Sequence, residues 1–224
     1  MDRGSSARNE LTPLVVVGAG GHGREVLDVV QAINSLSPTF EFLGFLDDDP
    51  PDTAILHRRS ARILGTTNAL AEFDAEYLIG IGSPEARRRI DRLATSYGRR
   101  AAIAIHPAAT LGSDIRMGPG AVITAGSILT TNITFGRHVH VNVNSTIAHD
   151  CIIGDYVTIS PGVNVSGNVT LGDGVMLGAG SAVVQGLSIG SRTVVGAGSV
   201  VIRDLPSGIV AVGIPAKPLP ESTV

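Results

Sequence analysis

Gly18, Gly20 and Gly23 follow an apolar run, Leu14 to Val17, and open a helical pattern carried by Val26, Val29, Val30 and Ile33. That G-x-G-x-x-G spacing suits a backbone loop that cradles phosphate at a helix start. Asp47 stands 24 residues beyond Gly23, where an acid accepts hydrogen bonds from a ribose. A second set of reactive groups lies later in the chain: His106, His138, His140 and His149. Imidazole, with an unperturbed pKa near ~6.5, exchanges protons at neutral pH. His138 and His140 are two apart and share one side of an extended segment. A lone histidine on a β surface is equally well explained by solvent or by a structural hydrogen bond. The four provide no H-x4-H pair, and the only thiol, Cys151, builds neither a disulfide nor a Cys-rich zinc site. No metal is expected.

These residues sit in two stretches of different composition. Of the 37 charged side chains, 26 precede residue 105, nine fall in 105–206 and two follow. Residues 105–206 hold no Lys or Glu and are rich in Val, Ile, Gly, Ser and Thr, which argues against helix. From Ile105 they divide into seventeen hexads without insertion, each beginning with Ile, Leu, Met, Phe or Val, and eight have Gly second. This period fits neither a helix nor an alternating strand; it fits a short strand and turn repeated as one side of a parallel coil. The period alone does not distinguish three sides per coil from two; with three sides the repeat is eighteen residues, which places His140 under Thr158, His138 under Tyr156, and Asn132, Asp150 and Asn168 in one ladder. The second-position Gly is expected where the backbone turns the corner.

Residues 14–104 follow βαβ grammar. A strand over Leu14–Val17 leads to the glycine loop; a second over Phe40–Leu46 ends in Asp47-Asp48-Asp49; a short helix is expected near Asn68–Phe73. A strand over Tyr77–Ile81 leads to Gly82, Ser83-Pro84 caps a helix to about Ser96, and a last strand, Ala101–Ile105, enters the coil. A full dinucleotide site needs about six strands and this stretch offers about four, so one nucleotide or nucleotide sugar is favoured over NAD. The organisation expected is a loose tail over 1–13, a nucleotide-binding α/β domain over 14–104, a β-coil domain over 105–206 and a C-terminal tail over 207–224. A net charge of -3 gives no basic footprint for nucleic acid. The longest uncharged apolar-looking stretch, Gly174 to Ser191, is broken by glycines, serines and Gln185, so no membrane span is expected. Met1 to Glu10 has no apolar h-region, which points to the cytoplasm.

The hexads, preceded by the glycine loop and closed by Gly213-Ile214-Pro215-Ala216-Lys217, resemble the hexapeptide-repeat acyltransferases, and in this order of motifs the NeuD and PglD type of bacterial sugar acetyltransferase. The resemblance covers residues 14 to about 217. It implies a left-handed parallel β-helix behind a small Rossmann-like α/β domain, an exception to right-handed crossover. It implies acetyl-CoA as acyl donor, a nucleotide-linked sugar as acceptor, and a homotrimer whose active site lies between neighbours. The family's catalytic segment stands here as Ile147-Ala148-His149-Asp150-Cys151-Ile152-Ile153-Gly154-Asp155, making His149 the general base and Asp150 its acidic neighbour. By the same likeness, Gly20, Gly21, His22, Asp47, Asp48 and Gly82 hold the sugar nucleotide, while Thr158, Ala179 and Ala197 meet the acyl donor. A non-catalytic sugar-nucleotide-binding scaffold would share the same fold and loops.

Overall fold

The computed structural model describes residues 11–220, so the reading of Met1 to Glu10 as a loose tail lies outside the described residues. Strand β1 is Thr12–Val17 and begins inside the stretch expected as tail. After it come α1 (Gly21–Leu36), β2 (Phe40–Leu46), a short α2 (Thr53–His57), β3 (Ile63–Gly65), a 3-10 turn at Thr67–Glu72, β4 (Glu76–Ile79) and α3 (Pro84–Ser96). The four strands form one parallel sheet in the order β3-β2-β1-β4. Central β1 is a continuous apolar run because both of its faces are covered. Leu14 and Val16 cluster with Val26 and Val30 of α1, while Val15 and Val17 cluster with Ile90 and Ala94 of α3. Its loop and the loop after β4 meet where the strand order reverses, the usual ligand crevice of an open α/β sheet. The fourth strand is β3 rather than Ala101–Ile105. Ala101 forms a single bridge to Tyr77, and Ala104–Ile105 already pairs with Val122–Ile123 of the coil.

From Ala104 onward, strands of two or three residues lie on three sheets of five, eight and six strands, the faces of a left-handed triangular coil. Pairs such as Thr134↔Ile152, His140↔Thr158 and Thr146↔Asn164 set the eighteen-residue register. The hexad anchors point inward: Ile123, Leu129, Phe135, Val141, Ile147, Ile153 and their successors to Val201 form one core cluster. The fifth position also points inward, which buries Cys151, Val157, Val163 and Ser181.

The corner geometry differs from the sequence expectation. The left-handed backbone falls on the fourth hexad position, including Asn132, His138, Asp150, Tyr156, Asn168 and Arg192. The second-position glycines serve another purpose: a Cβ on Gly136 or Gly154 would strike Asp155 or Asp173 of the following coil. The stretch expected as a C-terminal tail contains Val210–Val212, which pairs with Val194–Val195 and buries Ala211, so the coil runs into it. Lys217–Pro218 then closes the eight-stranded face antiparallel.

Candidate functional site

His149 follows the strand Thr146–Ile147 of the six-stranded face and precedes Ile152–Ile153 of the five-stranded face, so it stands on the corner between them. Its ring lies over Gly167, one coil further on; a Cβ there would come within 2.6 Å of the imidazole. The Nδ1 atom is 2.7 Å from Oδ2 of Asp150, and both side chains are half exposed. Asp150 has φ 61, a left-handed conformation that Asp and Asn tolerate through short local hydrogen bonds. Asn132 Nδ2 donates to the other carboxylate oxygen. Hydrogen bonds from Asn132 and then from His149 hold the Asp150 carboxyl below its ordinary range. An ionised Asp150 selects the tautomer with hydrogen on Nδ1, leaving Nε2 as a proton acceptor open to solvent. Cys151 faces the core, with Sγ donating to the Ser166 carbonyl at 3.3 Å, and burial raises its pKa.

The glycine loop divides its labour. Gly18, with φ 96, makes the turn after β1. Gly23 packs on the Gly18 carbonyl and on Gly80, and a Cβ at Gly23 would collide with that carbonyl. Among the described residues, nothing lies within 4 Å of a would-be Cβ on Gly20, Gly21 or Gly82, so they form an open floor. Gly20 caps α1 without a side-chain bond and no acid lies in the first turn, which leaves helix N–H groups directed at the crevice. The two acids after β2 also shape this loop. Asp47 accepts from Ala19 N at 2.6 Å and from Asp49 N, and Asp48 accepts from the backbone and hydroxyl of Thr67.

His22 is clamped on both ring nitrogens. Nδ1 lies 3.1 Å from Glu25, and Nε2 lies 2.9 Å from Nδ1 of His140, which reaches it from the eight-stranded face. His140 is 1% exposed. Burial first, then Arg87, His22 and His138, pushes its pKa well below the usual histidine value, so it is neutral. Thr158 is buried one coil above, where its hydroxyl donates to the Gly82 carbonyl at 2.9 Å and accepts from Arg87. Its hydroxyl proton is therefore committed to the junction between the two halves, in contrast to the donor contact expected for it. Ala179 and Ala197 are exposed and one coil apart, beside Gly180 and Gly198, on the edge of the eight-stranded face that adjoins the six-stranded one.

Sequence reasoning passed over the residues that join the halves. Arg87, fully buried on α3, donates to the carbonyls of Ile81, Gly82, His138, Tyr156 and Val157. Burial lowers its pKa to about 9, which still leaves it charged at neutral pH. Asp91, one turn on, accepts from Tyr77, Tyr156, Arg137 and His138. Burial works to raise the Asp91 pKa, but hydrogen bonds from His138, Arg137, Tyr156 and Tyr77 together hold it well below the ordinary carboxylate range. The only local signal was an Arg and an Asp four apart facing the buried side of an otherwise arginine-rich helix.

Among the described residues no group of three or more His, Cys, Asp or Glu is placed to hold a metal, and no helix is long and apolar enough to cross a membrane. The PglD N-terminal domain family matches residues 13–92. No curated protein matches the chain. Among solved structures, the acetyltransferase domain of PglB from Neisseria gonorrhoeae, solved with acetyl coenzyme A, is 33% identical, covers 94% of this chain and 100% of its own, and has a TM-score of 0.85. PerB from Caulobacter crescentus, solved with CoA and GDP-perosamine, is 29% identical over 94% of this chain and 99% of its own, with a TM-score of 0.85. WeeI from Acinetobacter baumannii is 28% identical over 93% of this chain and 100% of its own, with a TM-score of 0.81.

Proposed function

Because the chain belongs to the left-handed β-helix sugar acetyltransferases that carry a PglD-type N-terminal domain, we propose that it transfers the acetyl group of acetyl-CoA to an amino or hydroxyl group of a nucleotide-linked sugar, with His149 as general base. The observation that carries the role of His149 is its exposed imidazole, fixed through Nδ1 by Asp150 with Nε2 open. As the acceptor nitrogen or oxygen bonds to the thioester carbonyl, Nε2 takes its proton. The C–S bond then breaks, and the imidazolium hands that proton to the departing thiolate, so that CoA leaves as the thiol and the imidazole is neutral again. Asp150 orients the ring and stabilises the imidazolium.

The acceptor's phosphates rest on Gly20 and Gly21 with His22 beside them, and its nucleoside lies toward Asp47, Asp48 and Gly82. Both acids keep free lone pairs after holding their loops, since a carboxylate has about four acceptor sites. The acyl donor runs along the bare ridge at Ala179 and Ala197; Thr158 holds the junction beneath it. The protein works as a homotrimer in the cytoplasm. The α/β half packs on the eight-stranded face through His140 and Thr158, while His149 stands on the corner opposite that face. A neighbouring chain supplies the closure, and Ile128, Ile152 and Ile202, all exposed, offer it apolar contact. The test is release of free thiol from acetyl-CoA in the presence of UDP-, GDP-, dTDP- and CMP-linked amino sugars. One acceptor should drive stoichiometric release; nucleotide-sugar binding with no thiol from any of them would mean a scaffold and overturn the enzyme reading.

A further inference from the structure

We infer that the cleft between the first turns of α3 and the coil corner at Arg192 is a binding site for a phosphate-type dianion, separate from the glycine loop. The cleft is a cavity of about 440 Å³ lined by Ser83, Glu85 and Arg88 on the α/β side and by Gly174, Met176 and Arg192 on the coil. A second cavity of about 740 Å³ adjoins it through Glu85 and Arg88 and adds Arg89 and Arg92. Four arginines thus face this groove in a chain whose net charge is -3. The acids along it are Glu85, at the positive end of α3, and Asp48, whose two oxygens already accept from Thr67.

Of the two arginines that face each other across the cleft, Arg88 has one long ion pair and Arg192 has none among the described residues. The Arg88 guanidinium stacks over the Tyr156 ring at 5.0 Å, which fixes its plane. Its nearest acid, Asp173, is 3.9 Å away and accepts from Asp155 N through its other oxygen. Arg192 has φ 58, at a corner where Gly174 takes the same conformation one coil earlier. An arginine there costs backbone strain that glycine would avoid. Gly174 meanwhile keeps the cleft floor clear, since a Cβ on it would lie 3.6 Å from Arg192 and 3.8 Å from Pro84. Two guanidinium forks, one from each half of the molecule and only one of them with an ion-pair partner, match the oxygens of a phosphate or diphosphate.

Such a group could come from the phosphates of CoA or from the diphosphate of a sugar nucleotide. The site stands on the two arginines; only the choice of those two sources rests on the proposed reaction. The experiment is calorimetric titration of inorganic pyrophosphate, CoA, dephospho-CoA and GDP into wild type, Arg88→Ala and Arg192→Gly. The glycine variant removes the charge while relaxing the positive φ, so weaker binding cannot be blamed on misfolding. Pyrophosphate should bind wild type and lose at least tenfold in affinity in both variants. A parallel loss for CoA but not dephospho-CoA assigns the site to the CoA 3′-phosphate; a loss for CoA and dephospho-CoA alike assigns it to the CoA pyrophosphate; a loss for GDP assigns it to the acceptor. Pyrophosphate that fails to bind wild type, or unchanged affinities in both variants, would overturn the inference. Thiol release by wild type is read separately, so its absence would sink the reaction and leave the anion site standing.

Discussion

At the scale of single residues, the chemistry rests on one imidazole and the atoms that aim it. A positioned general base usually contributes ~10² to 10⁴-fold, so His149→Ala should lower kcat by about that range in steady-state assays. The folded state should be unaffected, because the side chain is half exposed. Asp150→Asn should cost less, since it removes an orienting partner and not the proton acceptor. Gly167→Ala makes a sharper test of geometry. Its new Cβ would sit within 2.6 Å of the His149 ring and displace it, so kcat should fall about tenfold with little change in melting temperature. Asp47→Ala should raise the acceptor KM while acetyl-CoA binding stays as it was, because the loop at Ala19 loses its tether.

At the scale of elements, α3 both walls the α/β sheet and pins it to the coil. Its inward side carries Ile90 and Ala94 into the apolar cluster and Arg87 and Asp91 into the junction. Removing one partner of a buried charged network leaves the others uncompensated at a cost of about 3–5 kcal/mol. Asp91→Asn should therefore destabilise the α/β half by that order in urea denaturation, and the coil should survive as a separate, later transition. The pH dependence has a definite sign. The folded Asp91 carboxyl titrates below its unfolded value of ~3.9, so its contribution is complete above about pH 5 and is lost as the pH falls below that value. The wild-type first transition should weaken in acid, and that part of the dependence should vanish in Asp91→Asn.

At the scale of the whole molecule, the two parts of the site stand on different sides of one coil. If neighbours share the site, light scattering should give three chain masses, and mixing two inactive chains should restore activity. His149→Ala supplies an intact glycine loop. Gly21→Phe, at a position with nothing within 4 Å, blocks that loop without disturbing packing and supplies an intact His149. Mixed trimers should recover turnover that neither parent shows; failure to recover it in mixed oligomers would place the whole site in one chain.

Much of this architecture is legible in the chain because it is periodic or local. An anchor every six residues marks out the coil and its inward positions, while the strand pairing supplies the eighteen-residue register that a six-residue period leaves open. The glycine loop, its helix and the His149-Asp150 pair are contiguous in sequence, so their spacing alone brought their atoms together. Tertiary structure decided what depends on distant neighbours. Whether a corner glycine answers to its own φ or to the coil above it is a steric question between residues 18 or 19 apart, and the fourth hexad position, not the second, carries the left-handed backbone. Thr158 became a junction residue only because Gly82 and Arg87, more than seventy residues away, reach its hydroxyl. Arg87 and Asp91 look like surface charges on a polar helix. They are buried because the coil offers carbonyls, a tyrosine, an arginine and a histidine at the place where α3 docks, and no local pattern encodes which partners a buried charge will find.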